Sequence, residues 1–213
     1  MKLFGYWRSS ATYRVRIALA LKDLDYGYEP VDLLKGEQKS TDYLAKNPNG
    51  LVPTLVTDDG HAIPQSLAIM EYLEDAFPEP SILPEDAGAR AHARAIAATI
   101  ACEAQPFMNL RMQKFLKEER SFDETAMSDW LNRFTGGAMA AAEKMVSETA
   151  GEYCVGDTPT IADCCLVPQW FGAARFGVDV SGFAKLKEIY ERCVKHPAFE
   201  KAHPKNQPDA VRE

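Results

Sequence analysis

The chain reads as two domains: an α/β unit over residues 1–80, a linker at 81–87, and an all-helical domain over 88–213. Three observations predict this. Short apolar runs of strand composition alternate with helical periodicity as far as Phe77. A proline-punctuated stretch, Pro78-Glu79-Pro80 through Leu83-Pro84-Glu85-Asp86, then breaks the pattern. From about Ala87 onward the segments are Ala- and Met-rich and show no strand alternation.

In the first domain, Lys2 to Tyr6 has strand composition, and Ser9-Ser10 stand where that strand ends and a helix begins. From Tyr13 the period turns helical. Val15, Ala18 and Leu19 form one apolar stripe and Ile17, Leu21 and Leu24 another, as expected of a helix packed on two sides. Tyr28 to Leu33 is a second strand, which the crossover helix makes parallel to the first. Gln38 to Asn47 reads as a loop and short helix closed by the turn Asn47-Pro48-Asn49-Gly50. Leu51 to Val56 is a strand with Pro53 at its entrance. Asp58-Asp59-Gly60 turns it into a partner at His61 to Ile63. Gln65-Ser66 opens a helix from Leu67 to Phe77, with Leu67, Met70, Leu73 and Phe77 on one face.

In the second domain, Ala89 to Lys117 is a long helical stretch in which Pro106 predicts a kink. Asp123 to Thr149 is another, broken at Gly136-Gly137, a pair suited to close helix packing. Thr160-Ile161-Ala162-Asp163 has the form of a capping box opening the helix that runs through Leu166 to Phe176. We read Asp163 as a capping carboxylate and Cys164-Cys165 as packing.

Composition excludes several functions. Hydrophobic residues make up 46% and charged residues 26%, ordinary values for a soluble globular chain. A formal net charge of −7 argues against nucleic acid, and it obliges any acidic substrate to find local arginines. The five cysteines are odd in number and have no framework spacing. With neither a signal peptide nor a long apolar span in view, they predict free thiols, a cytoplasmic location and no membrane contact. The four histidines form no ligand spacing with Cys or acidic residues, so no metal is expected.

The chemistry is expected at Ser9-Ser10. A helix N-terminus presents unpaired N–H groups and the positive end of the helix dipole. Hydroxyls there can stabilise a thiolate, and they can equally well cap the helix. The order strand-helix-strand-helix-strand-strand-helix, with proline before the third strand, resembles the thioredoxin fold, which implies a cis Val52–Pro53 bond. A redox member of that fold carries Cys-x-x-Cys at the first helix, whereas this chain reads Ser9-Ser10-Ala11-Thr12. Any thiol must therefore come from a ligand.

WRSSATYRVRIALALK, NPNGLVPTL and IPQSLAIMEYLE, continued by GEYCVGDTPTIADCCLVPQ, resemble the zeta-class glutathione transferases, also known as maleylacetoacetate isomerases. The pattern departs at Ala11, where the family has cysteine. The resemblance implies the glutathione transferase fold, a glutathione cofactor and a homodimer. It makes Ser9 catalytic, with Ser10 beside it, and the absent cysteine a lesser contributor. It assigns glutathione to Ser9, Ser10, Ala11, Gln38, Val52, Pro53, Gln65 and Ser66, together with Gln105 and Asn109 from the helical domain. Val52 would pair its backbone with the peptide, and the Gln65-Ser66 helix start would hold a carboxylate, although plain capping explains that dipeptide too. Arg8, Arg111 and Arg175 are the candidate anchors for a dicarboxylate substrate, because guanidinium forks bind carboxylates bidentately. Each could also be an ordinary surface charge.

The implied reaction is cis–trans isomerisation of maleylacetoacetate by thiolate addition, bond rotation and elimination. Maleylpyruvate isomerisation and attack on α-halo acids or other electrophiles use the same site. A non-catalytic interaction module is the alternative of another class, and the intact Ser9, Val52-Pro53 and Gln65-Ser66 argue against it.

Overall fold

The computed structural model describes residues 1–211. They form two compact units, Met1–Ile82 joined by the chain from Lys195 onward, and Leu83–Val194. The sequence places everything after residue 88 in the helical domain. The structure differs, because the last segment carries an apolar face that the helix Ser10–Leu21 of the first unit covers.

The first unit is built on a four-stranded sheet of order β2-β1-β3-β4, where β1 is Lys2–Gly5, β2 Gly27–Pro30, β3 Thr54–Val56 and β4 Ala62–Pro64. β1 and β2 are parallel, as the crossover requires, with Leu3 opposite Tyr28. β3 runs antiparallel to β1, with Leu3 opposite Leu55. β2 stops at Pro30, short of the expected Leu33. Proline cannot continue the ladder, and the Asp32 side chain bends the chain by accepting from the Leu34 and Lys35 amides.

Between β1 and β2 lies α1, Ser10–Leu21, which starts one turn earlier than its apolar period suggests. It packs against α3, Ser66–Ala76, and against the C-terminal helix Pro197–Ala202. Every residue from Thr12 to Leu19 is buried, so the two expected stripes merge into a continuous band that includes Arg14 and Arg16. The short helix α2, Thr41–Leu44, precedes β3.

At the end of α3 the buried Lys22 ammonium meets Glu74 at 2.8 Å and donates to the carbonyls of Phe77 and Pro80. Glu74 also accepts from the Ile82 amide. These bonds hold the first part of the proline-rich stretch on the first unit.

The second unit contains α4 (Ala87–Ala98), α5 (Gln105–Met108), α6 (Leu110–Glu119), α7 (Glu124–Leu131), α8 (Gly137–Thr149), α9 (Ile161–Arg175) and α10 (Ala184–Cys193). The C-terminal helix Pro197–Ala202, which belongs to the first unit, is α11. The expected kink at Pro106 falls elsewhere. A π-helical turn over Thr99–Ala104 leads into α5, Pro106 sits in the first turn of α5, and the chain breaks at Asn109, whose backbone is extended. Proline at a helix start forfeits no hydrogen bond, so it bends nothing there.

Gly136-Gly137 does not break its helix either. Gly136 closes a second π turn, Asn132–Gly136, where an added Cβ would meet Val178 at 3.7 Å, and α8 continues from Gly137. An aromatic cluster of Phe107, Trp130 and Phe134, in which the two phenylalanine rings stack and Trp130 is tilted against both, packs between α5, α7 and the second π turn.

The capping box forms as expected. The fully buried Asp163 accepts from the Thr160 amide at 2.8 Å and from the Cys154 amide at 2.9 Å, and Thr160 Oγ1 accepts from Ala162 N. All five cysteines are free thiols. Among the described residues no helix is long and apolar enough to cross a membrane.

Candidate active site

The end of β1 organises the first unit's share of the predicted site. Tyr6 and Trp7, just past that strand, pack with Val31, Tyr43 and Val52 in one buried cluster. This packing brings the Ser9 turn and the Val52–Pro53 segment to the same end of the sheet. Ser9 is the N-cap of α1: its amide donates to the Tyr6 carbonyl at 2.9 Å, and its Oγ accepts from the Thr12 amide at 3.2 Å. Capping and chemistry are compatible at this residue. A serine hydroxyl accepts with its lone pairs and keeps its hydrogen to donate. Ser10 and Ala11 form the first turn, whose N–H groups have no acceptor within the helix. The positive end of the helix dipole therefore lies where a thiolate would be stabilised.

The Val52–Pro53 peptide is cis, and both residues are buried. Among the described residues neither the N–H nor the C=O of Val52 has a hydrogen-bond partner. The preceding loop is firmly held. Asn47 Nδ2 and the Tyr43 hydroxyl both donate to the Leu51 carbonyl, at 2.6 and 2.7 Å, and the Tyr43 oxygen is 3.0 Å from Thr54 Oγ1. Gln38 lies in a 3-10 turn, Glu37–Lys39, alongside the Gly50 turn, and its Oε1 is buried with no partner among the described residues.

Gln65 holds φ at +71°, a conformation costly for a residue with a Cβ, directly before the first turn of α3. Ser66, the first residue of α3, is buried and accepts a hydrogen bond from Arg14 Nη1 at 3.2 Å. A buried guanidinium thus stands behind the N-terminus of α3 and adds to the positive potential there. Arg8 lies with its guanidinium 4.7 Å from the centre of the Trp7 ring.

The remaining candidates belong to the second unit. Gln105 opens α5. Asn109 caps α6, its Oδ1 accepting from the Met112 amide at 2.8 Å, and Arg111 is exposed on the first turn of that helix. Arg175 is exposed at the C-terminal end of α9, over the Phe176 ring at 4.8 Å, where the helix carbonyls favour a cation.

Sequence reasoning missed Arg14, Asn47 and Tyr43. The signal for Arg14 was on view. A charge inside an otherwise apolar helix has either to reach solvent or to find a partner, and Arg14 is 2% exposed.

The residues of the first unit fit a γ-glutamyl tripeptide. An unpaired backbone edge at Val52 can take its cysteinyl unit, an electropositive helix start at Gln65-Ser66 its carboxylate, and a free hydroxyl donor at Ser9 its sulfur. A fold of this kind carrying such a site defines a glutathione transferase. The glutathione S-transferase N-terminal domain family matches residues 8–76, and the C-terminal domain family matches residues 135–197. Maleylacetoacetate isomerase of Pseudomonas aeruginosa PAO1 is 42% identical over 98% of this chain and 98% of its own. The holo structure of a maleylpyruvate isomerase, described as a bacterial zeta-class glutathione S-transferase, superposes with a TM-score of 0.94 at 38% identity, covering 99% of this chain and 100% of its own. Maleylacetoacetate isomerase from Methylobacterium extorquens AM1, with malonate and glutathione bound, superposes at 0.93 with 38% identity over all of both chains. The chain belongs to the zeta class of the glutathione S-transferase family.

Proposed function

We propose that this protein is a glutathione-dependent cis–trans isomerase that converts maleylacetoacetate to fumarylacetoacetate in aromatic amino acid catabolism. The observation that carries the reading is the Ser9 turn, where the hydroxyl accepts from the Thr12 amide and retains its proton for a ligand sulfur. When bound, glutathione supplies a thiolate whose reversible addition to the activated double bond makes that bond single and free to rotate. Ser9 donates its hydroxyl proton toward the sulfur, and the first-turn amides of Ser10 and Ala11 add positive potential; together they favour the ionised form. Val52 offers one N–H and one C=O to the peptide backbone. Gln65, Ser66 and the Arg14 charge behind them favour a carboxylate at the start of α3. Gln38 adds a polar group on the first unit, and Gln105 and Asn109 are the second unit's candidates for polar contact with glutathione. Arg8, Arg111 and Arg175 supply the cations that a dicarboxylate needs on a chain of net charge −7.

Maleylpyruvate, a shorter diacid, is a second substrate reading, supported by the likeness to the maleylpyruvate isomerase structure. The same sulfur nucleophile would also attack neutral electrophiles, as a transferase does. We place the enzyme in the cytoplasm, consistent with free thiols, and expect a homodimer, the commonest soluble assembly.

The test is direct. Maleylacetoacetate should isomerise only when glutathione is added, and the glutathione should be recovered unchanged. Ser9→Ala should abolish turnover, raise the thiol pKa of bound glutathione in ultraviolet difference spectra, and leave glutathione binding largely intact. Ser10→Ala should be milder. Full activity with an unchanged thiol pKa in Ser9→Ala would overturn the assignment.

A further inference from the structure

The turn that carries Ser9 is not held by its own neighbours alone. The Trp7 amide donates to Asp209 Oδ2 at 3.0 Å, a contact across most of the chain, and the Trp7 carbonyl accepts from Arg16 Nη2 at 3.0 Å. Both backbone groups of one residue, two places before Ser9, are therefore fixed by ionisable side chains. Each of these side chains has a second anchor. Arg16 Nε donates to the Ala202 carbonyl at the end of α11 at 3.0 Å, and the Tyr28 hydroxyl on β2 donates to Asp209 Oδ2 at 3.2 Å. Arg16 is 1% exposed, so its charge faces little competition from water. Burial pulls its pKa down from the usual arginine value, and burial followed by the Asp209 charge pushes the Tyr28 phenol up. The Tyr28 phenol therefore stays neutral beside Asp209.

The next residues complete the path. Ser9 N donates to the Tyr6 carbonyl and Ser9 Oγ accepts from Thr12 N, so the turn from Tyr6 to Thr12 has few free torsions once Trp7 is fixed. The Trp7 ring also supports the Arg8 guanidinium. Moving the Trp7 peptide by a fraction of an ångström would move the Ser9 hydroxyl and Arg8 together.

We propose that Asp209 and Arg16 are positioning residues: the C-terminal segment, through them, clamps the Trp7 peptide and so sets where the Ser9 hydroxyl points. The inference rests on the reading that Ser9 acts on a glutathione sulfur. A group that only stabilises the fold would alter thermal stability and nothing at the sulfur. A positioning group alters the ionisation of the bound thiol in protein that is fully folded.

The experiment compares full-length wild type, Ser9→Ala, Asp209→Ala, Asp209→Asn and Asp209→Glu. It reads the thiol pKa of bound glutathione by ultraviolet difference, kcat and KM for glutathione, and folding by circular dichroism. Asp209→Ala should raise the thiol pKa toward that of Ser9→Ala. It should also lower kcat by about 10-fold, the scale of one lost charge-assisted hydrogen bond, with little change in KM. Asp209→Asn keeps an acceptor for the Trp7 amide and should recover most of both. Should Asp209→Ala fail to fold, Asp209→Glu decides, because it keeps the charge but displaces the acceptor by one methylene. A smaller shift in the same direction is then expected. A thiol pKa and kcat unchanged in a folded Asp209→Ala or Asp209→Glu variant would overturn the clamp. If Ser9→Ala itself matches wild type, the reading of Ser9 fails instead, and the two failures are thereby told apart.

Discussion

Ser9 illustrates how one side chain can serve both structure and chemistry. Its lone pair satisfies an orphan amide of α1, while its proton remains available at the positive end of the same helix. Arg175 poses the opposite problem. It is exposed at the end of α9, a place that favours a cation whether or not any substrate is present. Substrate charge provides the discriminating measurement. A hydrogen bond to a charged partner is worth roughly 1.5–3 kcal/mol, so Arg175→Ala should lower kcat/KM for the diacid by about 10- to 150-fold. A neutral aryl halide conjugated by the same sulfur should be turned over at nearly the wild-type rate. Equal losses on both substrates, or none on either, would assign Arg175 to structure or to solvent, and Arg8 would be the next anchor to test.

At the scale of elements, helix ends bear most of the polar organisation. The C-terminal end of α3 is joined to the chain that follows through Glu74, which faces Lys22 and the Ile82 amide in a buried setting. Burial by itself would raise this carboxyl, but hydrogen bonds from Lys22, Ser81 and Ile82 outweigh it and hold the group below its ordinary value. The sign of the pH dependence follows. A carboxyl depressed in the folded chain contributes stability in full above its unfolded value, and loses that contribution as pH falls through the folded value. Melting temperature should therefore drop on acidification below about pH 4.3, the ordinary Glu value, and Glu74→Gln should flatten that limb. At neutral pH the same variant should cost about 3–5 kcal/mol, because it leaves Lys22 buried beside an uncharged partner. Urea titrations of the two proteins across pH measure both effects. The capping box at Thr160 is the corresponding device at the start of α9, and it fully engages Asp163.

On the scale of the whole molecule, the chain returns to where it began. After α10 it leaves the helical unit, and α11 lies against α1, with Phe199 1% exposed and its carbonyl 3.5 Å from the Tyr13 hydroxyl. Phe199→Ala should lower stability by about 3–5 kcal/mol, the usual cost of emptying a buried aromatic site. The loss should appear in hydrogen exchange of α1 amides, more than a hundred residues away in sequence, because the cavity opens against that helix. An effect confined to the last twenty residues would contradict the packing. The expected homodimer is checked by light scattering at micromolar concentration, where a monomer mass would argue against it.

Local chemistry makes much of this molecule legible in its sequence. The succession of strands and helices along the chain to β4, the helix start at Ser9-Ser10 and the capping box at Thr160 follow from periodicity and turn residues, which act over a few neighbours. The family enters through the resemblance of whole motifs. Among the candidate site residues of the first eighty positions, Ser9 and Gln65-Ser66 carry a local signal because they stand at helix starts, whereas Gln38 and the Val52 pairing rest on the family resemblance. What the sequence leaves open depends on the backbone path or on partners distant along the chain. Pro106 has the chemistry of a kink, but the break falls at Asn109 because the preceding π turn lets proline enter at a helix start. Arg14 and Arg16 look like surface charges on an amphipathic helix until Ser66, Trp7 and Ala202 supply their hydrogen bonds. The last segment reads as the end of the helical domain, and only packing against α1 assigns it to the first unit. For the two arginines and the last segment the decisive energy is burial or a hydrogen bond between residues far apart in sequence, and no local pattern encodes which two will meet.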